Sequence, residues 1–243
     1  MSNFNEEDKL VCALESVKFA DEVVLVDGGS TDDSVSVARA FGAQVFVRGN
    51  SRQLDVNKNF GFDNSHCDWI LILDTDEKVP PTLGVEIRNA IRTGEYDGYL
   101  IKFRNFFGRR WLAHGGWYPD PHLRLFRRGK ARYECRHVHE ALRIEGRIGE
   151  LTNSIDHFTY RNFSEYLKKW LRYTAFEAEH FPEFGGKRKY PFVRFLALEP
   201  MRIFWSKYFI KKGYLDGGEG LIVNFFSALY PMISYLRYRL RLW

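Results

Sequence analysis

The sequence has little cysteine, and that little is scattered: three in 243 residues, at Cys12, Cys67 and Cys135, with no C-x-x-C spacing. An odd number so far apart supports neither a disulfide framework nor a zinc site, and a reducing compartment suits it. No G-x-G-x-x-G is present and no G-x-x-x-x-G-K-[ST], so neither a dinucleotide fingerprint nor a P-loop is supported. A basic start running into an apolar stretch is missing, so nothing reads as a secretory signal. Missing too is the run of roughly 20 apolar residues that a spanning helix needs. The uncharged stretch from Leu221 to Leu236 is shorter than that, and Asn224, Ser227, Pro231 and Ser234 interrupt it.

What the chain does have is apolar bulk: 45% hydrophobic and 16% aromatic residues, enough for a sizeable core and incompatible with a disordered chain. Its net charge of +5 sits in the tail. Arg202, Lys207, Lys211, Lys212, Arg237, Arg239 and Arg241 face only Asp216 and Glu219 from residue 202 onward. Interleaving those charges with Phe, Trp, Tyr, Leu and Ile favours a membrane surface over nucleic acid, for which no recognised motif exists.

The stretch around which the rest is arranged is Trp69-Ile70-Leu71-Ile72-Leu73-Asp74-Thr75-Asp76-Glu77. An apolar run of this kind suits a strand covered on both faces, as in a parallel sheet flanked by helices, and Asp74 marks its carboxyl end. Ligands of open α/β sheets sit beyond such ends, and carboxylates at i and i+2 around a bend can share a hard divalent cation. Glu22-Val23-Val24-Leu25-Val26-Asp27 repeats the pattern, followed by Gly28-Gly29, and Ser30 with Asp33 resembles a capping box opening a helix through Phe41. Leu10, Ala13, Leu14 and Val17 stripe a first helix from Glu6 to Val17, and Ala43 to Val47 is another strand. A helix over 55–64 carries Lys58, which either pairs with a phosphate or is solvated. Pro80-Pro81 opens a helix with Leu83, Ile87, Ala90 and Ile91 on its apolar face. Gly98 to Phe103 is a further strand. No strand precedes the first helix, where a βαβ protein normally places one.

The middle of the chain is dense in reactive groups. Asp120 and Glu140 are carboxylates able to take a proton in a group transfer. Trp117 and Tyr118 offer flat faces for a sugar ring. Arg124, Arg127 and Arg128 either meet phosphate or are solvated. His137-Val138-His139-Glu140 lacks a third spaced ligand for zinc. From Asn162 to Phe181 an amphipathic helix shows Phe163, Tyr166, Leu167, Trp170, Leu171 and Ala175 largely on one side.

Taken together, Ala20 through Asp32, Asn57-Lys58-Asn59-Phe60, Leu73-Asp74-Thr75-Asp76-Glu77, His114-Gly115-Gly116-Trp117-Tyr118-Pro119-Asp120, Leu123 through Gly129, Val138-His139-Glu140 and Gly213 through Leu221 resemble the inverting GT-A glycosyltransferases of family 2. Within that family they look like the lipopolysaccharide-core β-1,4-glucosyltransferase-like branch. The resemblance implies an α/β, Rossmann-like, mostly parallel sheet flanked by helices over residues 1–155, holding a nucleotide-diphosphate sugar, a UDP-sugar first among them. Residues 156–243 would form a helical, membrane-associated appendage.

By the same resemblance Asp27 contacts the base or ribose and Lys58 lies near the nucleotide. Asp74 and Asp76 form the DxD motif, with Asp76 the direct ligand of Mg²⁺ or Mn²⁺ and Asp74 toward the ribose and diphosphate. Glu140 is the expected base and Asp120 the reserve. The expected reaction moves a hexose such as glucose to a lipid-linked saccharide such as the lipopolysaccharide inner core, on the cytoplasmic face of the inner membrane. Transfer to a polyprenyl phosphate or a protein, and an inactive membrane-associated binding protein, stay open as alternatives. The chain departs from the family at its start, where the first strand is absent. Either that start is misassigned or truncated, or part of the donor site is lost.

Overall fold

Periodicity decides the helices of the first hundred residues. The computed structural model describes residues 1–49, 54–135, 141–181 and 191–242. Helix α1 (Glu7–Ser16) buries the expected stripe, with Leu10, Ala13 and Leu14 inside and Val17 just beyond it. Helix α2 spans Ser34–Ala40 and α3 spans Leu54–Asp63. Helix α4 (Pro81–Thr93) begins at its proline, which has no amide hydrogen to waste in the first turn, and ends on Gly94 at φ 63°.

The expected capping box does not form. Asp33 precedes α2 without a side-chain cap, because Ser30 directs its hydroxyl to Asp27 Oδ1 at 2.6 Å instead.

The sheet is mixed. Strands β1 (Ser2–Asn3), β2 (Val24–Asp27) and β3 (Gln44–Val47) lie parallel in the order β1-β2-β3. A strand thus does stand before α1, two residues long, where none was expected. The apolar run that reads as a parallel strand is β4 (Trp69–Leu71), and it pairs antiparallel with β8 (Pro121–Arg127). The other strands are β5 (Glu77–Lys78), β6 (Gly98–Phe107), β7 (Arg110–Trp111), β9 (Ala131–Arg132), β10 (Arg143–Ile144) and β11 (Ile148–Tyr160). They complete a sheet ordered β4-β8-β6-β11-β5, with β7 on β6, and a separate β9–β10 ribbon. Strands β1, β2 and β3 pair parallel, whereas β4 and β6 meet β8, β7 meets β6, β9 meets β10 and β5 meets β11 antiparallel.

Two units result: Met1–Phe103 with Asp120–His157, and Arg104–Pro119 with Phe158–Trp243. The core of the first is built from Leu73, Leu83, Ile87, Ile101, Leu125 and Ile155. In the second, α5 (Phe163–Glu179) is capped by Asn162, whose side chain accepts from the Glu165 amide. Its buried stripe is Tyr166, Trp170, Thr174 and Ala178, while Phe163 and Leu171, expected inside, are exposed. Next comes α6 (191–210), in which Arg194–Leu198 and Trp205–Ile210 are π-helical. A 3₁₀ turn at Gly213–Asp216 leads into α7 (Gly217–Leu240), which packs on α5 and α6. Among the described residues no helix is long and apolar enough to cross a membrane.

Candidate functional site

Strand β4 gives out at Leu71, and the chain then carries Asp74, Thr75, Asp76 and Glu77 into β5. Asp74 is held from two elements. Lys58 on α3 places Nζ 3.1 Å from Oδ1, and Arg124 on β8 reaches Oδ2 at 3.4 Å. Burial alone would raise the Asp74 carboxyl, but Lys58 and Arg124 outweigh it and hold the group well below the usual carboxylate range. Arg124 also bonds Glu77 Oε1 at 2.7 Å, and the Asp74 amide donates to Glu77 Oε2 at 2.9 Å. Glu77 is 2% exposed. Burial pushes its carboxyl up, Arg124 opposes that, and Asp74 adds to it.

These contacts remove one alternative for each of two residues. Lys58 and Arg124 are not solvated: both pair with carboxylates at the end of β4. Thr75, 3% exposed, donates its hydroxyl to Glu6, fixing the bend between the two aspartates.

Asp76 turns the other way. His157 Nε2 on β11 lies 3.7 Å from Asp76 Oδ2, and one ligand atom from each of Asp76, Glu77 and His157 falls within 4.8 Å of the others. Two carboxylates and an imidazole suit a divalent transition ion such as Mn²⁺ better than an all-oxygen Mg²⁺ shell. Asp76 is thus in the cluster able to hold a metal, whereas Asp74 is fastened to Lys58 and Arg124. His157 carried no signal in the sequence. It reaches Glu77 by strand pairing, since the two are direct partners in the β11–β5 register.

At the end of β2, Asp27 is 0% exposed. Its Oδ1 accepts from Asn3 Nδ2 at 2.8 Å and from Ser30 Oγ, and its Oδ2 accepts from the amides of Gly29 at 2.9 Å and Ser30 at 2.8 Å. Burial works against ionisation here, but these hydrogen bonds prevail and lower the carboxyl's pKa. Gly29 sits at φ 87°, a backbone that lets its amide face the carboxylate and that favours glycine. Asn3 Oδ1 is buried without a partner, a feature invisible in the sequence. Between β2 and the end of β4 lies a cavity of about 110 Å³, bordered by Met1, Val24, Lys58, Leu73 and Asp74.

Asp120, the reserve base, immediately precedes β8 and places Oδ1 3.0 Å from His122 Nε2, with its side chain 44% exposed. Glu140, the expected base, and His137 and His139 lie outside the described residues.

Comparison with known proteins bears on this arrangement. The profile of Glycosyl transferase family 2 matches residues 1–146. The lipopolysaccharide core biosynthesis glycosyltransferase LpsC of Rhizobium meliloti (strain 1021) is 28% identical over 242 residues, spanning 95% of this chain and 87% of its own. The uncharacterized glycosyltransferase RT0209 of Rickettsia typhi (strain ATCC VR-144 / Wilmington) is 27% identical over 253 residues, spanning 96% and 82%. Among solved structures, S. aureus TarS 1-349 superposes with a TM-score of 0.51 at 13% identity, over 100% of this chain and 90% of that one, a likeness of fold alone.

Proposed function

We propose, from the premise that this chain belongs to glycosyl transferase family 2 and is a glycosyltransferase, that it transfers a hexose such as glucose, with inversion at the anomeric carbon, from a nucleotide-diphosphate sugar onto a lipid-linked saccharide. UDP-sugars are the first donors to test. The observation that carries the reading is the cluster after β4, with Asp74 held by Lys58 and Arg124 while Asp76, Glu77 and His157 converge beside it. The near full-length likeness to a protein named for lipopolysaccharide core biosynthesis supports the inner core as acceptor.

In this reading residues 1–155 bind donor and metal and residues 156–243 form the helical appendage. Asp27 braces the loop that meets the base or ribose. Asp76, with His157 and Glu77, would hold Mn²⁺ or Mg²⁺, and Asp74, paired with Lys58 and Arg124, would lie toward the ribose and diphosphate. The ion would supply neutralisation of charge on the departing diphosphate. Inversion is one displacement: the acceptor oxygen bonds to the anomeric carbon as the bond to the diphosphate oxygen breaks, and Glu140, with Asp120 in reserve, takes the hydroxyl proton.

Contact with the cytoplasmic face of the inner membrane belongs to the same proposal. On α6, Leu198, Met201, Trp205 and Ile210 are 59%, 71%, 60% and 68% exposed alongside Arg202, the composition of an interfacial helix.

Calorimetry with UDP-, GDP- and ADP-sugars, with and without Mn²⁺, tests the reading. Saturable, metal-dependent binding that disappears in Asp76→Ala is expected. Absence of binding by any of them refutes it.

A further inference from the structure

The second unit carries an arrangement that the donor site does not use. His114 donates its backbone amide to Asp216 Oδ2 at 2.8 Å, and its Nδ1 lies 2.7 Å from Asp216 Oδ1. Asp216 is 3% exposed. The carboxylate takes the His114 amide and faces Nδ1, so Nε2 is the ring nitrogen turned away from it. No hydrogen bond to Nε2 is made among the described residues, and the His114 side chain is 37% exposed.

The loop that follows is pinned to the end of α6, because the Gly115 amide donates to the Lys211 carbonyl at 2.8 Å. Two ammonium groups therefore border it. Lys207 Nζ stands 5.8 Å from the Trp117 ring centroid. A Cβ added at Gly116 would come 3.0 Å from Lys211 Nζ, and with φ at 83° that position suits glycine, which leaves the lysine room. No carboxylate pairs with either lysine among the described residues. Burial, followed by repulsion from Lys211, lowers the pKa of Lys207, so the pair is under electrostatic strain that an anion would relieve. The Trp117 indole N–H is buried without an acceptor.

We propose that Lys207, Lys211 and the His114–Trp117 loop form a site for a phosphate or carboxylate group carried by the acceptor saccharide, with His114 Nε2 hydrogen-bonded to a neighbouring sugar hydroxyl. The lysines act as point charges on the anion, and Asp216 fixes the orientation of the imidazole through its contacts with the His114 amide and Nδ1. Naming the anion's bearer rests on the proposed saccharide acceptor; the anion site itself does not.

Competitive amine acylation of the full chain, read by mass spectrometry, tests the site with inorganic phosphate as the probe. Labelling of Lys207 and Lys211 is expected to slow about tenfold at ten times the dissociation constant, while exposed Lys18 is unaffected. Sodium chloride at matched ionic strength should not reproduce the effect, and Lys211→Met should abolish protection at Lys207. Equal slowing by chloride, or none by phosphate, overturns the site. Protection by phosphatidylglycerol vesicles without protection by soluble phosphate overturns it too, by assigning the lysines to lipid. Because no sugar is transferred, the result stands apart from the donor-binding calorimetry, and either can fail alone.

Discussion

Replacing Arg124 by methionine removes the one guanidinium shared by Asp74 and Glu77 while keeping most of its volume. The Arg124–Glu77 separation of 2.7 Å corresponds to about 6 kcal/mol of attraction at an effective dielectric constant of about 20. Much of that offsets the desolvation of both ions. What the variant loses is therefore the cost of a stranded buried carboxylate, about 3–5 kcal/mol. Asp74 retains Lys58 at 3.1 Å, so the stranded group is Glu77.

Urea unfolding followed by tryptophan fluorescence measures the loss at pH 8 and again at pH 5. The sign follows from Glu77, whose carboxyl burial raises. A buried carboxyl with a raised pKa favours the fold when protonated, and that contribution fades as pH rises through its folded value. Without Arg124 the value climbs further, so the deficit against the parent chain should shrink at pH 5. Arg124→Met combined with Glu77→Leu should recover at least about half of the loss, because an apolar replacement of a buried pair is often neutral or better. A single variant within about 1 kcal/mol of the parent, or a double variant no more stable than the single, would refute the reasoning.

His157→Ala should leave the fold intact by circular dichroism but weaken Mn²⁺ binding by at least roughly 10–100-fold, since losing even an outer-shell partner of a ligand costs that much; unchanged affinity in calorimetry would remove His157 from the cluster. Asp27→Asn should cost about 1.5–3 kcal/mol in urea, since an amide cannot accept all four hydrogen bonds. Asp27's lowered pKa stabilises the fold above its unfolded value of 3.8 and loses that effect as pH falls, so the variant should show a shallower acid loss of stability below that pH. Gly98→Ala should destabilise by about 1–3 kcal/mol through overpacking, because its Cβ would collide with Ile144 and approach the Leu125 carbonyl oxygen to 3.1 Å.

The helices of the first unit were legible because a 3.6-residue stripe is a local signal. Leu10, Ala13, Leu14 and Val17 on α1, and Leu83 and Ile87 on α4, are buried as their spacing predicts. Strand direction was not legible. The run Trp69 to Leu73 is apolar throughout, and such a run is the same whether its neighbour runs parallel or, as β8 does, antiparallel. The partners of charged groups were hidden for a related reason. Arg124 meets Glu77 and Asp74 across 47 and 50 residues of chain, and His157 meets Glu77 through a strand register that no short window contains. On α5 the stripe was displaced by one face, because Thr174 and Ala178 lie inside although neither is strongly apolar.

Asn224 is 0% exposed and bonds back to the Gly220 carbonyl at 2.7 Å. Around it, a methyl group at Gly115 would sit 2.7 Å from its Oδ1, one at Gly213 would collide with its Nδ2, and one at Gly220 would strike the Gly213 carbonyl. Gly115 and Gly213, far apart in the chain, are thereby tied to one amide. Drift at any of these positions is then not independent. Shrinking residue 224 alone frees neither glycine, since a methyl group at Gly213 would still lie 2.9 Å from the Lys207 carbonyl oxygen and Gly115 keeps φ at 64°. In a library randomised at 115, 213 and 224, survivors should keep glycine at both 115 and 213 even where a residue smaller than asparagine stands at 224.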